Sequence, residues 1–288
     1  MNTAHVTHLE EQGYAVIRGF LDAEEVAGIS RAVEEVYAQA MTHPCTYRHR
    51  NLAFEILNDS GAGQKVVMQS YWHSWISPEL EAGRRHPRYL DVLAPLLGRS
   101  IKQMANQIHW KHPGGKYTFY RYHQDIRFRP RAELFDDIER NSITTGLAIE
   151  HQDDSNGTLR VFPGSHKLGR LPLAEDAPTI MNEMTQDAEL RAAGLDPDDA
   201  LPVVLEPGDL VLWTLSTVHG SGPNTSSRNR PFLLNSYVRA ESSPSRGEWV
   251  FRDGVSTPLG DEPQICKLEN LADFEEPTYD DTDWTGDA

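Results

Sequence analysis

The chain has 288 residues, of which 39% are hydrophobic and 24% charged, and this suits one large soluble domain or two small ones. Its formal net charge of −16 argues against a nucleic-acid partner, because phosphate binding needs clustered cations. The N-terminus does not resemble a signal peptide, and no apolar run approaches the roughly 18 residues of a membrane span. Since the two cysteines, Cys45 and Cys266, are isolated from one another, we expect a reducing, cytoplasmic setting without membrane association.

The negative charge is concentrated at the C-terminus. Residues 269–288 contain eight acidic residues and no Lys or Arg, so they carry half of the net charge. Such a run predicts a solvated or poorly ordered tail. We therefore expect a single domain over residues 1–268, with helical support at its N-terminus, followed by an acidic tail over 269–288.

The first hundred residues favour helices around a short strand. Residues 13–19 form a β-rich run between two glycines, and Asp22 then opens a helix with Glu25 at the capping-box spacing. A second helix is predicted near 88–97 and ends at Gly98. The intervening stretch looks irregular, and we favour core packing over a substrate wall for its aromatic cluster. That cluster is Tyr71, Trp72, His73 and Trp75.

From residue 101 onward the pattern changes to short β segments separated by turn signals such as Pro163-Gly164 and Pro207-Gly208. The predicted strands lie near 101–110, 116–122, 143–150, 158–163, 202–205, 209–214 and 231–239. Many short strands at this spacing favour a β-sandwich or a jelly-roll barrel. The expected fold class is mainly β with flanking helices.

A His-x-Asp pair follows one of these strands. His123 and Asp125 are two residues apart, and on an extended strand such side chains point to one face and reach one ion. His219 is the best third ligand for a site of two histidines and one carboxylate, which is typical of non-haem iron oxygenases. The tripeptide alone is weak evidence, because His151 and Asp153 repeat the same letters.

The residues after His219 indicate a cosubstrate site. Arg230 lies eleven residues later, before an apolar strand, and comes near the metal if the chain turns back over residues 220–229. A guanidinium group there suits the distal carboxylate of 2-oxoglutarate, and Ser221 adds a hydroxyl group. A surface ion pair is the alternative for Arg230 taken alone.

In this order, the motifs resemble the phytanoyl-CoA dioxygenase family of Fe(II)- and 2-oxoglutarate-dependent oxygenases. The resemblance spans roughly residues 10–240. The matching segments are His123-x-Asp125, Asn156-Gly-Thr-Leu, Pro163-Gly-Ser-His166, Pro207-Gly-Asp-Leu and His219-Gly-Ser221-Gly-x-Asn224…Arg230. The resemblance implies a double-stranded β-helix core, of the jelly-roll or cupin-like type, that holds iron between its sheets.

The family pattern also distinguishes the two His-x-Asp tripeptides. It implies that His123 and Asp125 bind the metal, because His151 and Asp153 adjoin the Asn-Gly stretch at a loop near the pocket. It implies a structural role for His166.

The implied reaction oxidises a small-molecule metabolite with 2-oxoglutarate and O₂ and releases succinate and CO₂. Asp125 retains the carboxylate that halogenating relatives lack, so we expect hydroxylation, with desaturation, cyclisation or epimerisation as alternatives. Two competing interpretations are a cupin-like metal-binding protein without oxygenase activity and a dioxygenase that does not use 2-oxoglutarate.

No motif identifies the substrate or an oligomeric state. Arg127, Arg129 and Arg131 follow the metal pair and share its metal-facing side if the strand continues. They then bind an anionic substrate group, or they form a solvated rim. Gln107 and His109 either point into the barrel or are buried for structural reasons.

Overall fold

The computed structural model describes residues 3–59, 63–115, 118–129, 132–174, 180–181, 184–260 and 276–281. The α-helices in these ranges are α1 (Thr3–Gln12), α2 (Ala23–Ala40), α3 (Pro78–Arg84), α4 (Pro87–Leu97) and α5 (Asp187–Ala192). The strands of the N-terminal part are β1 (Tyr14–Ile17), β2 (Thr46–His49), β3 (Leu52–Asp59), β4 (Gln64–Tyr71), β5 (Ile101–Lys111) and β6 (Tyr120–His123). The remaining strands are β7 (Ser142–Ala148), β8 (Leu159–Val161), β9 (Leu201–Pro202), β10 (Leu210–Thr214), β11 (His219–Ser221), β12 (Arg230–Arg239), β13 (Glu248–Arg252), β14 (Val255–Ser256) and β15 (Thr278–Asp280).

Helix α2 begins where the capping signal predicts. The Asp22 side chain accepts hydrogen bonds from the backbone N–H groups of Glu24 and Glu25, both at 3.0 Å. In return the Glu25 carboxylate accepts from the backbone N–H of Asp22 at 2.8 Å, which completes the capping box. The second predicted helix is confirmed as α4, with Gly98 at its C-terminus in a positive-φ conformation.

Two antiparallel sheets form the body of the protein. The large sheet runs β1-β10-β7-β12-β5-β4-β3-β2-β15, with β13 paired to β5 and β14 to β13. The small sheet runs β6-β11-β8-β9. The helices α2 and α4 pack on one face of the large sheet and form the main core with it. Its opposite face, together with the small sheet, encloses a cavity of about 520 Å³. The prediction of a mainly β fold with flanking helices is confirmed.

The prediction of an irregular stretch between the helices is wrong, because residues 46–71 contain β2, β3 and β4. Strand β4 is buried over five consecutive residues, with core packing on one face and the cavity on the other. It therefore lacks the alternation of apolar and polar residues by which a half-exposed strand is recognised. Trp72 is fully buried outside the cavity, as the core-packing interpretation expects, whereas Tyr71 lines the cavity.

The described part of the predicted acidic tail, residues 276–281, is exposed and contains β15. This strand pairs with β2 at the edge of the large sheet, and the Tyr279 and Tyr47 rings lie 5.4 Å apart between centroids. Cys266 lies outside the described residues. Within the described ranges, no helix is both long enough and apolar enough to span a membrane.

Candidate metal centre and cosubstrate pocket

His123 and His219 face each other on neighbouring strands of the small sheet. They are register partners of β6 and β11, and their ring centroids lie 4.3 Å apart. The Nδ1 atom of His123 lies 2.7 Å from the Arg121 carbonyl oxygen, and that of His219 lies 2.9 Å from the Thr217 carbonyl oxygen. Because a carbonyl can only accept, Nδ1 carries the proton in both rings, and each Nε2 offers its lone pair to an ion.

Asp125 completes the cluster. Its Oδ1 atom lies 3.6 Å from His123 Nε2 and 3.5 Å from His219 Nε2. One ligand atom from each of the three residues lies within 4.8 Å of the other two, which suits one ion with bonds of about 2 Å. Two imidazoles and one carboxylate are the donor set that Fe(II) oxygenases use, so these residues fit that metal.

The second Asp125 oxygen is held by two hydrogen bonds that the sequence did not reveal. Thr144 Oγ1 donates to Oδ2 at 2.9 Å, and Trp213 Nε1 donates to it at 3.0 Å. Burial alone would raise the pKa of Asp125, but His219 and His123 hold it well below its usual range. Asp125 is therefore ionised and fixed in orientation, with Oδ1 left for a metal.

The convergence of His123 and Asp125 does not depend on an extended strand. Strand β6 ends at His123, and Asp125 begins a 3-10 helix that runs to Phe128. The expectation that three arginines alternate along a continuing strand is therefore wrong. Arg129 does line the cavity, whereas Arg127 is not among its lining residues and lies 5.4 Å from the Phe128 ring. Arg131 lies outside the described residues.

Two buried basic side chains lie on neighbouring strands in the wall of the cavity. Arg230 on β12 is the register partner of Lys111 on β5, and both line the cavity with exposed fractions of 3% and 1%. Lys111 Nζ donates to Ser221 Oγ at 2.6 Å. Burial and the charge of Arg230 hold the pKa of Lys111 well below its usual range. Among the residues that the structure describes, neither cation forms a salt bridge with a carboxylate, so this corner is suited to an anion.

The Asn-Gly turn before β8 positions Arg230. The guanidinium group donates to the Gly157 carbonyl at 2.6 Å and to the Asn156 carbonyl at 3.4 Å. Asn224 stabilises the neighbouring Lys111, because its side-chain amide donates to the Lys111 carbonyl at 2.7 Å. The surface ion pair weighed for Arg230 is therefore wrong, because this side chain is buried beside Ser221 and Lys111. Lys111 was missed because only the register of the sheet brings it to Arg230.

The remaining candidate residues from the sequence fall into two groups. Some lie away from the metal cluster, and others line the same cavity. His151 is exposed and Asp153 half-buried, the two side chains contact each other at 3.3 Å, and neither residue lines the cavity. His166 Nε2 lies 3.0 Å from the Glu10 carbonyl oxygen, which suits a structural role. Gln107 and His109 line the cavity, so their side chains do point into the barrel.

The family model of phytanoyl-CoA dioxygenase (PhyH) matches residues 9–232. The chain belongs to the phytanoyl-CoA dioxygenase family. It is 27% identical to a probable alpha-ketoglutarate-dependent hypophosphite dioxygenase of Stutzerimonas stutzeri, over 82% of this chain and 78% of that protein. It is 23% identical to a 2-aminoethylphosphonate dioxygenase of an uncultured bacterium, over 86% of this chain and 85% of the relative.

Solved structures show the fold of this phytanoyl-CoA dioxygenase family member. The crystal structure of EctD from S. alaskensis with 2-oxoglutarate and 5-hydroxyectoine has a TM-score of 0.64 and 17% identity, and covers 96% of this chain and 86% of that one. The predicted family and the jelly-roll core are confirmed, as are the enzyme class and its dependence on iron and 2-oxoglutarate.

Proposed function

We propose that the protein hydroxylates a small-molecule metabolite at an iron centre held by His123, Asp125 and His219. The observation that carries this proposal is that the three ligands and a pair of buried cations line one cavity. A protein that only stores metal has no need for buried cations beside its site. This argues against the cupin-like metal-binding alternative.

In this proposal Lys111, Arg230 and Ser221 bind the distal carboxylate of 2-oxoglutarate. A lysine and an arginine in a low-dielectric corner bind a carboxylate strongly, because they are shielded from water. Bound iron would supply the activation of O₂. The protein supplies orientation, since the two cations fix one end of the cosubstrate and the two histidines face the other.

The cavity favours a small substrate. Its volume of about 520 Å³ holds the cosubstrate together with one metabolite of modest size. The lining beyond the metal ligands is mixed, with apolar Met104, Phe128 and Leu234 among polar side chains. Arg129 supports an anionic substrate group, because it lines the cavity beside Phe128. The relatives named for hypophosphite and 2-aminoethylphosphonate support small polar substrates.

The proposal is tested by anaerobic titration of 2-oxoglutarate into the Fe(II)-loaded protein. We expect the weak visible charge-transfer band of a 2-oxoglutarate chelate, and aerobic release of succinate with a metabolite panel. Asp125→Ala should abolish both signals. His151→Ala is the matched control, because it alters the duplicated tripeptide outside the cavity and keeps the Asp153 cap of the Asn156–Gly157 turn, and it should leave both unchanged.

The cosubstrate residues are tested in the same titration. Arg230→Gln should weaken 2-oxoglutarate binding by roughly tenfold or more, because it removes a charged hydrogen-bonding partner. Wild-type protein that binds iron but gives no band would contradict the proposal and favour the metal-binding alternative.

A further inference from the structure

Beyond the metal cluster, polar side chains on three adjacent strands of the large sheet form a row that lines the cavity. In the register of the large sheet, His109 on β5 faces Gln69 on β4, and Gln69 faces Glu55 on β3. Neighbouring strands lie about 4.8 Å apart, so the backbone of Glu55 stands about 10 Å from that of His109. All three side chains line the same cavity as the metal cluster.

Glu55 ends this row with a buried carboxylate. The residue is only 7% exposed, and one of its oxygens, Oε1, contacts the Arg48 guanidinium. Among the residues that the structure describes, no donor reaches the second oxygen, Oε2. This oxygen is accessible from the cavity, so a ligand that donates to it gains a charge-assisted hydrogen bond.

The neighbouring donors are turned away from Glu55. The Tyr71 hydroxyl donates to the Gln69 side-chain oxygen. The Gln69 amide nitrogen donates to the Tyr120 hydroxyl at 3.0 Å and contacts Met181 Sδ at 3.6 Å, which occupies both of its hydrogens. The fold therefore leaves the free oxygen of Glu55 to the contents of the cavity.

The charges around Glu55 favour a cation. Burial raises the pKa of Glu55, Arg48 lowers it, and the nearby carboxylate of Asp280 on β15 raises it again. Arg48 contacts Oε1 of the ionised carboxylate, and Oε2 is left for a donor in the cavity. An ammonium group can donate to this oxygen and also carries the charge opposite to that of Glu55.

We propose that Glu55 binds a protonated amine of the substrate, at the side of the cavity formed by β3 and β4. The substrate is then a small metabolite that carries an ammonium group on the end held by Glu55. This inference rests on the proposed oxygenase function and adds a substrate class to it. Water is the competing occupant of the same position.

The test uses pairs of compounds that have the same length and differ only at one end, an ammonium group against a methyl group. One pair is 2-aminoethylphosphonate and n-propylphosphonate. Further pairs are ω-aminoalkanoates of increasing length and the matching alkanoates. Binding is measured anaerobically on the Fe(II)- and 2-oxoglutarate-loaded enzyme, through the change in its visible band and by calorimetry.

For at least one pair, we expect the amine to bind roughly 10- to 100-fold more tightly than its methyl partner. Glu55→Gln should reduce this ratio to about one and leave the affinity for 2-oxoglutarate unchanged. Glu248→Gln is the matched control, because Glu248 is also partly buried beside cations but does not line the cavity. It should preserve the ratio.

A second variant separates recognition from a structural role. Glu55→Asp keeps the charge and withdraws it by one methylene group, so the best ω-amino acid should become longer by one methylene. A Glu55 that only supports the fold would not shift this optimum.

Equal affinity for amine and methyl partners would overturn the inference and indicate water at Oε2. So would an enzyme that forms the normal visible band and binds no amine of the series. In both cases the proposed oxygenase function stands, whereas a wild-type protein without the band overturns the proposed function and this inference with it.

Discussion

Asp125 is fixed through the oxygen that faces away from the two histidines. Thr144 and Trp213 both donate to that oxygen, at 2.9 and 3.0 Å. Residues in such positions orient a ligand without touching the metal, and their loss commonly lowers metal affinity about 10- to 100-fold. The two donors lie on β7 and β10, which are neighbouring strands of the large sheet. These strands therefore fix the orientation of Asp125, although Asp125 itself lies in the short 3-10 helix after β6.

Thr144→Val should therefore weaken iron binding by about tenfold, because it removes one donor and preserves the shape of the side chain. Competition with a chromophoric chelator measures this affinity. Thr145→Val is the control, since Thr145 is also buried but donates to the Asn235 carbonyl instead. Equal iron affinity in the two variants would mean that Thr144 does not orient Asp125.

Lys111 should take up a proton when 2-oxoglutarate binds. Its pKa is held well below the usual value by burial and by Arg230, and a bound carboxylate would raise that pKa again. Between the two pKa values the free protein has neutral Lys111 and the complex has charged Lys111, so protons are absorbed in that pH window. Calorimetry of cosubstrate binding in buffers of different ionisation enthalpy detects this uptake. Lys111→Met should abolish it, and persistence of the uptake in that variant would contradict the assignment.

Some residues of the candidate site could be predicted from the sequence, and others could not. His123, Asp125 and His219 were found because the spacing and order of motifs along the chain identify them. Lys111 and Thr144 were not, since a lysine or a threonine within a strand has no local signature. Their place follows from which strands pair and in which register, and long-range pairing is what a single sequence specifies least directly.

At the scale of elements, the turn before β8 packs closely against the loop after β11, and Gly157 lies where they meet. Gly157 has φ of +70°, and a Cβ atom placed on it would lie 2.6 Å from the Gly222 carbonyl oxygen and 2.9 Å from Lys111 Nζ. The same turn supplies the carbonyl groups that hold Arg230. A side chain at this position would disturb both cations at once.

Gly157→Ala should destabilise the protein by about 1–3 kcal/mol and weaken 2-oxoglutarate binding, because it combines backbone strain with a clash. Gly164→Ala is the control, since Gly164 also has a positive φ, +78°, but nothing lies within 4 Å of its added Cβ. It should lose stability from strain alone and retain its cosubstrate affinity. Thermal unfolding and the 2-oxoglutarate titration measure the two effects, and equal cosubstrate affinity in both variants would contradict the role of Gly157.

Helices and strands were predicted correctly where neighbouring residues alone determine the structure. The capping box of Asp22 and Glu25 places the start of α2, because a cap depends only on neighbouring residues. Strands β3 and β4 were missed, because both faces of each strand are buried and apolar side chains occur on both, so neither strand shows a regular alternation of apolar and polar residues. Glu55 and Gln69 interrupt the apolar runs, and the stretch was predicted to be irregular, although both side chains are almost fully buried.

At the scale of the whole molecule, the C-terminal strand covers an exposed sheet edge. Strand β15 pairs with β2, and Tyr279 contacts both Tyr47 and His43. Ending the chain at residue 275 removes this strand and leaves unpaired the backbone groups of β2 that face away from β3. Uncovered edges promote association between chains, so we expect the shortened protein to grow in hydrodynamic size with concentration.

Light scattering on the full chain and on the shortened chain measures this association. A chain that ends at Asp281 is the control, because it loses only residues beyond β15. It should behave like the full chain. Identical concentration dependence in all three proteins would show that β15 does not protect the edge of β2.

The pairing of β1 with β10 has a consequence for the order of folding. Tyr14 lies opposite Trp213, so β1 must wait until most of the domain has been synthesised before it gains its partner strand. Trp213 is also the residue whose indole holds Asp125. The edge of the large sheet and the hydrogen bonds that fix Asp125 are thus completed late in synthesis, so we expect a nascent chain to acquire the proposed metal-binding geometry only after β10 has paired.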